Sequence, residues 1–367
     1  MLPVTMPLPL RRRLGQLLFG SFPGRTVSVE LRALAREFDL GGVTLFARNV
    51  EAPEQVLELS RECAALGTVA PAWVRVDQEG GRVARLRAPF TEWPPMATLG
   101  RAGSEALAAR FARALATELR AVGITLDFAP VLDVHTNPKN PVIGDRALSS
   151  DARLAAVLGA AVVRELQGAG LAACGKHFPG HGDTMVDSHA EMPIVEHGPD
   201  RLRAIEFEPF RAAIAAGVAC MMTGHVLVPA LDERRPATLS APILRLLRDE
   251  LGFDGVIFTD DLEMQAVRAR WTPGESAVQA LAAGCDGVLV CSGDTAVIAD
   301  TLETMVKAVE LGQLALTRVD DAIARMGRAK ARFVLAPAPA ASGPAAWRSV
   351  VGCEAHQLVA AEMAGFL

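Results

Sequence analysis

Lysine is nearly missing from this chain. Among 37 basic residues only positions 139, 176, 307 and 330 carry it, and the rest are arginine. Arginine serves most surface positions equally well, so a lysine inside a dense polar motif, as at Lys176, points to a need for a compact ammonium. No basic block stands out and the formal net charge is −5, which argues against a nucleic-acid surface. The six cysteines, at 63, 174, 220, 285, 291 and 353, include no Cys-x-x-Cys pair. Neither a zinc ribbon nor a disulfide framework fits such spacing. Cys174, Cys220 and Cys291 fall in apolar, strand-like runs and are expected to act as small buried hydrophobes. No apolar run reaches 18 residues, and the apolar N-terminus precedes Arg11-Arg12-Arg13. A secretory signal has the opposite order, so the expectation is a soluble, cytoplasmic protein with no membrane partner.

What is present is concentrated in residues 176–189, Lys-His-Phe-Pro-Gly-His-Gly-Asp-Thr-Met-Val-Asp-Ser-His. Three of the seven histidines (His177, His181, His189) stand there with Asp183 and Asp187. The apolar run Leu171–Cys174 leads in, and Pro179, Gly180 and Gly182 are expected to end the strand and open a loop free to move. A strand that delivers titratable groups into such a loop is how a rigid scaffold presents chemistry.

Half of the 367 residues are hydrophobic, enough for a large core. Eight short apolar runs alternate with eight helical patterns. The strands are expected at 16–19, 42–46, 72–76, 124–128, 171–174, 219–222, 255–258 and 287–290. The helices are expected at about 28–38, 53–66, 104–123, 151–167, 201–215, 240–252, 272–284 and 295–311. Ser104 and Thr272-Pro273 give clear starts, and Gly123 and Gly284 clear ends. This alternation calls for a parallel sheet, and eight units over roughly 300 residues fit an α/β fold of the single (β/α)8 TIM-type barrel. A doubly wound sheet would show a glycine fingerprint after its first strand, and none is present. Asp77, Asp133, Lys176-His177, His225 and Asp260 all fall at strand C-terminal ends, where barrel active sites lie. Residues 1–335 are read as the catalytic barrel. Residues 336–367 are read as an Ala/Pro-rich arm over 336–344 and a short helix over 355–363.

Asp260 directly follows a buried strand, so its carboxylate can act as a nucleophile, stabilise a developing cation, or simply cap a helix. Asp261 is expected to point elsewhere, since adjacent side chains diverge. Asp187 and His189, two apart in an extended loop, would face the same way, letting the carboxylate orient an imidazole for proton transfer. His177 and His181 have the spacing of metal ligands on a helix, but Pro179 and Gly180 break that helix. The paired first-strand histidines of metal-dependent barrel hydrolases are also missing. Arg82, Arg85, Arg146 and Lys176 are available either as donors to a hydroxyl-rich or anionic ligand or as plain surface charges.

The strings Asp77-Gln78-Glu79-Gly80-Gly81-Arg82-Val83, Gly144-Asp145-Arg146, Lys176 through Thr184, Asp187-Ser188-His189 and Thr259-Asp260-Asp261-Leu262 occur in this order. In them the chain resembles the single-domain bacterial β-N-acetylhexosaminidases of glycoside hydrolase family 3 that act in peptidoglycan recycling. The likeness runs from about Leu14 to Leu335. It implies a retaining, exo-acting β-N-acetylglucosaminidase that removes the terminal sugar from muropeptides, including those ending in anhydromuramic acid. Asp260 would be the nucleophile and His189, oriented by Asp187, the acid/base. Asp77, Arg85, Arg146, Lys176 and His177 would bind the sugar, with no metal and no cofactor, in a monomer. Two departures stand out: Ala147-Leu148-Ser149 where the family often has Ser-Phe-Gly, and Gly224 where alanine is common. A glycoside phosphorylase and a silent muropeptide-binding protein are the alternatives.

Overall fold

The computed structural model describes residues 8–335 and 347–367. Eight parallel strands close into one barrel: β1 Leu18–Gly20, β2 Gly42–Leu45, β3 Trp73–Val76, β4 Leu126–Asp127, β5 Ala172–Phe178, β6 Cys220–Thr223, β7 Val256–Asp261 and β8 Gly287–Leu289. Each pairs with its sequence neighbours, and β8 returns to β1 through Leu18 opposite Val288 and Phe19 opposite Leu289. The helices around it start where the sequence supplies caps. Ser28, Ser104 and Asp151 accept side-chain hydrogen bonds from the backbone at Leu31, Leu107 and Leu154. Thr272 and Glu275 form a reciprocal capping box before the Pro273–Ala283 helix.

The barrel interior is packed. Phe19, Trp73, Phe128 and Phe258 fill it with Cys174, Cys220 and Cys291, and all are buried. A continuous outer core lies between barrel and helices. The lower end is closed by Leu316–Phe333, an 18-residue helix that the sequence reading passed over. Its Met326 and Phe333 join the interior cluster. Its Lys330 is buried and donates to Gln16 Oε1 at 2.9 Å.

Two further differences from the sequence expectation concern position. β1 is shifted toward Leu18–Gly20. β5 runs on through Phe178, so Lys176 and His177 belong to the strand itself and Pro179 marks its end. The extended pairing survives because the register against β6 shifts between Gly175 and Phe178. The Ala/Pro-rich arm lies outside the described residues. The C-terminal helix is Glu354–Ala364, and it docks on the Glu105–Ala121 helix. There the buried Glu118 accepts from Thr91 N–H (3.0 Å), Thr91 Oγ1 (2.6 Å) and Gly352 N–H (3.0 Å), and pairs with His356 Nδ1 (2.8 Å). No helix among the described residues is long and apolar enough to cross a membrane.

Candidate active site

A pocket of about 180 Å3 opens at the C-terminal ends of the strands. Asp77 after β3, Lys176 and His177 on β5 and Asp260 on β7 all line it, as do Arg85, Arg146 and His189 from the loops. Seven of the eight residues expected to act in catalysis or sugar binding thus line one pocket, and the eighth, Asp187, holds His189.

One wall is a buried charge network. Lys176 Nζ reaches Asp77 Oδ1 at 2.9 Å and Glu79 Oε1 at 2.6 Å. Arg146 grips Glu79 with two parallel bonds, Nε to Oε2 and Nη2 to Oε1, both 2.9 Å. Arg85 Nη2 lies 3.4 Å from Asp77 Oδ2. Burial alone would drive both carboxyls upward, but Lys176 with Arg85 holds Asp77 below the usual carboxylate range, and Lys176 with Arg146 holds Glu79 well below it. Burial likewise opposes the ammonium of Lys176, yet Asp77 and Glu79 raise its pKa. All these groups therefore stay charged at neutrality and present fixed donors and acceptors. Glu79, at the centre, went unrecognised in the sequence. The available signal was its place two residues beyond Asp77. Arg82, offered as a possible ligand contact, instead donates to the Val142 and Ile143 carbonyls and pairs with Asp145.

The second wall is built on Asp133, whose position at a strand end was noted without a role. Its Oδ2 lies 2.7 Å from His177 Nδ1, and its Oδ1 accepts the backbone N–H of His181 at 2.7 Å. This fixes the His177 ring and leaves Nε2 without a protein partner among the described residues. Burial opposes ionisation of Asp133, but His177 outweighs it and keeps the pKa low. His181 is held between Thr184 Oγ1 (2.6 Å) and Ser188 Oγ (3.3 Å). Burial pushes its pKa down to about 4, so it is neutral and serves as a wedge under the loop. His177 and His181 meet edge to face, centroids 6.0 Å apart. No group of three His, Cys, Asp or Glu among the described residues is placed to hold a metal.

The first half of the loop is pinned. A Cβ at Gly182 would stand 1.8 Å from the Val134 carbonyl oxygen, so only glycine lets the chain pass there. Asn140 Nδ2 donates to the His181 carbonyl at 2.7 Å. Beyond it, Asp187 and His189 meet as expected, but not through an extended segment. Asp187 caps a tight turn: its Oδ1 accepts the His189 backbone N–H at 2.9 Å and faces His189 Nδ1 at 2.8 Å, while its carbonyl accepts from Ala190. Burial works against the Asp187 carboxylate, yet the His189 N–H and ring lower its pKa. The His189 side chain is 70% exposed, on the open side of the pocket.

Asp260 lines the same pocket, and its Oδ1 accepts the Asp261 backbone N–H at 2.8 Å. Asp261 does not turn away as expected, for it lines the same pocket. The register of β7 against β8 slips between Phe258 and Asp261, which breaks the alternation of faces. Asp261 Oδ1 accepts from the Glu263 and Cys291 N–H groups. Burial, aided by the charges of Glu263 and Asp260, pushes its pKa up to about 7. His225 is wholly buried, bonded to Thr238 Oγ1 and the Asp261 carbonyl at 2.8 Å each, and braces this strand end.

A carboxylate, a carboxylate-oriented imidazole and a cradle of fixed charges in one pocket make a constellation for acyl- or glycosyl-transfer chemistry. Comparison with known proteins decides between them. Residues 9–329 match the glycosyl hydrolase family 3 N-terminal domain. The chain belongs to that family. It is a glycoside hydrolase. A beta-hexosaminidase of Pseudomonas aeruginosa is 42% identical over 272 residues, 73% of this chain and 80% of that protein. One from Thiobacillus denitrificans is 42% identical over 259 residues, 69% of this chain and 72% of that protein. A family 3 beta-N-acetylglucosaminidase of Paenibacillus sp. FPU-7 has a TM-score of 0.92 at 40% identity, covering 98% of this chain and 69% of that one. NagZ from Neisseria gonorrhoeae, solved in complex with N-trifluoroacetyl-D-glucosamine, has a TM-score of 0.78 at 32% identity, covering 95% of this chain and 97% of that one. Each motif string contributes residues to this one pocket at the C-terminal ends of the strands.

Proposed function

We propose that this protein is a retaining exo-β-N-acetylglucosaminidase acting on peptidoglycan fragments, with residues 1–335 as the catalytic barrel and 336–367 as an appended arm and helix. The observation that carries the reading is that Asp260 and the Asp187-held His189 line one pocket. The names of its relatives support a hexosaminide substrate. Asp77, Arg85, Arg146, Lys176 and His177 bind the sugar hydroxyls.

In the first step an Asp260 oxygen attacks the anomeric carbon as the glycosidic C–O bond breaks. His189 Nε2, with Nδ1 engaged by Asp187, gives its proton to the leaving oxygen. In the second step His189 Nε2 takes a proton from water, the water oxygen bonds to the anomeric carbon, and the ester to Asp260 breaks. An imidazole here replaces the second carboxylate of most retaining enzymes. No cofactor enters. The substrate would be a small muropeptide ending in anhydromuramic acid, met in the cytoplasm by a monomer.

Turnover of a chromogenic β-N-acetylglucosaminide, with products compared in phosphate-free and phosphate-rich buffer, tests this. Free N-acetylglucosamine in both buffers supports hydrolysis. A sugar 1-phosphate would make the protein a phosphorylase, since a neutral imidazole does not repel phosphate as a carboxylate would. No turnover would make it a binding protein.

A further inference from the structure

Beneath the pocket lies a cation that the proposed mechanism does not use. Arg75, on β3 two residues before Asp77, shares Asp77's face of the strand and is completely buried. Its guanidinium carbon stands 4.3 Å from the Phe19 ring centroid, 4.8 Å from Phe128 and 5.4 Å from Phe258. Nη2 donates to Thr44 Oγ1 at 2.6 Å, and Thr44 lines the pocket. Among the described residues Nε and Nη1 have no hydrogen-bond partner and Arg75 forms no ion pair.

A buried cation without a carboxylate is a cost to folding that three aromatic faces offset only in part. The carboxylates are one layer up. Asp77, Glu79, Asp260 and Asp261 line the pocket against Arg85, Arg146 and Lys176, four carboxyls to three bases, with Asp261, its pKa pushed up to about 7, only partly ionised at neutrality. Arg75 is the fourth base. We propose that Arg75 is a positioning residue for the sugar pocket, its charge offsetting the excess carboxylate above it while its Nη2 fixes Thr44 in the pocket floor. This rests on the pocket being the sugar site.

The surrounding groups are consistent with such a role. Burial lowers the Arg75 pKa only to about 10, so it remains a cation. The thiols beside it, Cys174, Cys220 and Cys291, are all pushed up by burial and stay neutral. Asp77 is the carboxylate among its electrostatic partners. Asp77 itself faces Lys176, Arg85 and Glu79, and near it burial drives the Asp127 pKa well up.

The test compares Arg75→Met with Arg75→Lys, which keeps the charge. The Met variant should lose at least about tenfold in kcat/KM at pH 7, equivalent to about 1.4 kcal/mol, with the acid limb of its profile moved to higher pH. The Lys variant should recover most of both. A substrate-free arm uses melting temperature. The attraction of Arg75 for ionised carboxylates is present at pH 7 and lost as pH falls through their depressed pKa values. The Tm deficit of the Met variant relative to wild type should therefore hold from pH 7 to about pH 4.5 and shrink only as pH falls further. Superimposable pH profiles, a Tm difference that does not vary with pH, a Lys variant no better than Met, or a Met variant that cannot fold would each overturn the proposal. If wild type itself shows no turnover, the sugar-site reading fails and the melting series alone decides whether Arg75 serves the carboxylates.

Discussion

Removing the charge of Glu79 should damage both the fold and the pocket. In Glu79→Gln the amide presents one neutral oxygen where Lys176 Nζ at 2.6 Å and two Arg146 nitrogens at 2.9 Å now meet a carboxylate. Both cations are nearly inaccessible, with side chains 2% and 10% exposed. Breaking a buried pair by taking away one partner costs about 3–5 kcal/mol, because the other charge is stranded. At about 2.1 cal/mol/K of unfolding entropy per residue, a chain of 367 residues would lose roughly 4–7 °C in Tm. Lys176 would swing wholly onto Asp77, so a sugar ligand should bind more weakly by tenfold or more. The pH dependence has a defined sign. The folded pKa of Glu79 is depressed, so its contribution is complete above the unfolded value and disappears as pH falls through the folded one. The gap between variant and wild type should thus persist from pH 8 to about pH 4.5 and narrow only below. Scanning calorimetry across that range, with calorimetric titration of N-acetylglucosamine, reads both effects. A Tm within about 1 °C of wild type would refute the account of the network.

Lys330→Met should stabilise the protein. Burial lowers the Lys330 pKa from 10.5 to about 8, a cost of about 3 kcal/mol at pH 7 from 1.36 kcal/mol per tenfold change in proton affinity, reduced by the lost bond to Gln16. Denaturant melts should show the gain below pH 8 and its decline toward pH 10.5, and a destabilised variant would contradict it. His189→Ala should slow substrates with poor leaving groups far more than activated aryl hexosaminides, since only the former need protonation; equal losses would reduce His189 to a structural part of its turn. Glu118→Leu strands the donors at Thr91 and Gly352, about 1–3 kcal/mol each. Hydrogen exchange of residues 352–367 should accelerate well above the global rate, and unchanged exchange would show that apolar contacts alone hold the C-terminal helix.

Much of this was legible in the sequence because the pattern repeats. The eight apolar runs, with Ser104, Asp151 and Thr272 as starts, locate the barrel. Titratable groups at strand ends locate the mouth. The Leu316–Phe333 helix escaped because it follows the last strand and is rich in arginine, so its apolar stripe of Val319, Met326 and Phe333 has no adjoining strand to announce it. Strand β5 was drawn short because Pro179 and the glycines mask a strand that bends through a register shift. Asp261 was misplaced because alternation of faces presumes a regular strand. Glu79 and Asp133 act by contacting Lys176, Arg146 and His177 across 44 to 97 residues of chain, a relation no local pattern encodes. Arg75 was invisible for a simpler reason: an arginine within a strand reads as an outward residue until the barrel closes around it.

The central claim is that Asp260 forms a covalent bond to the sugar. Incubation with a 2-deoxy-2-fluoro or 5-fluoro hexosaminide, followed by digestion and mass spectrometry, tests it directly. The account predicts one glycosyl adduct on the peptide containing Asp260, and loss of that adduct with more than tenfold loss of turnover in Asp260→Ala. A label on any other residue, or an Asp260→Ala enzyme within about tenfold of wild type, less than ~1.4 kcal/mol of barrier, would contradict it.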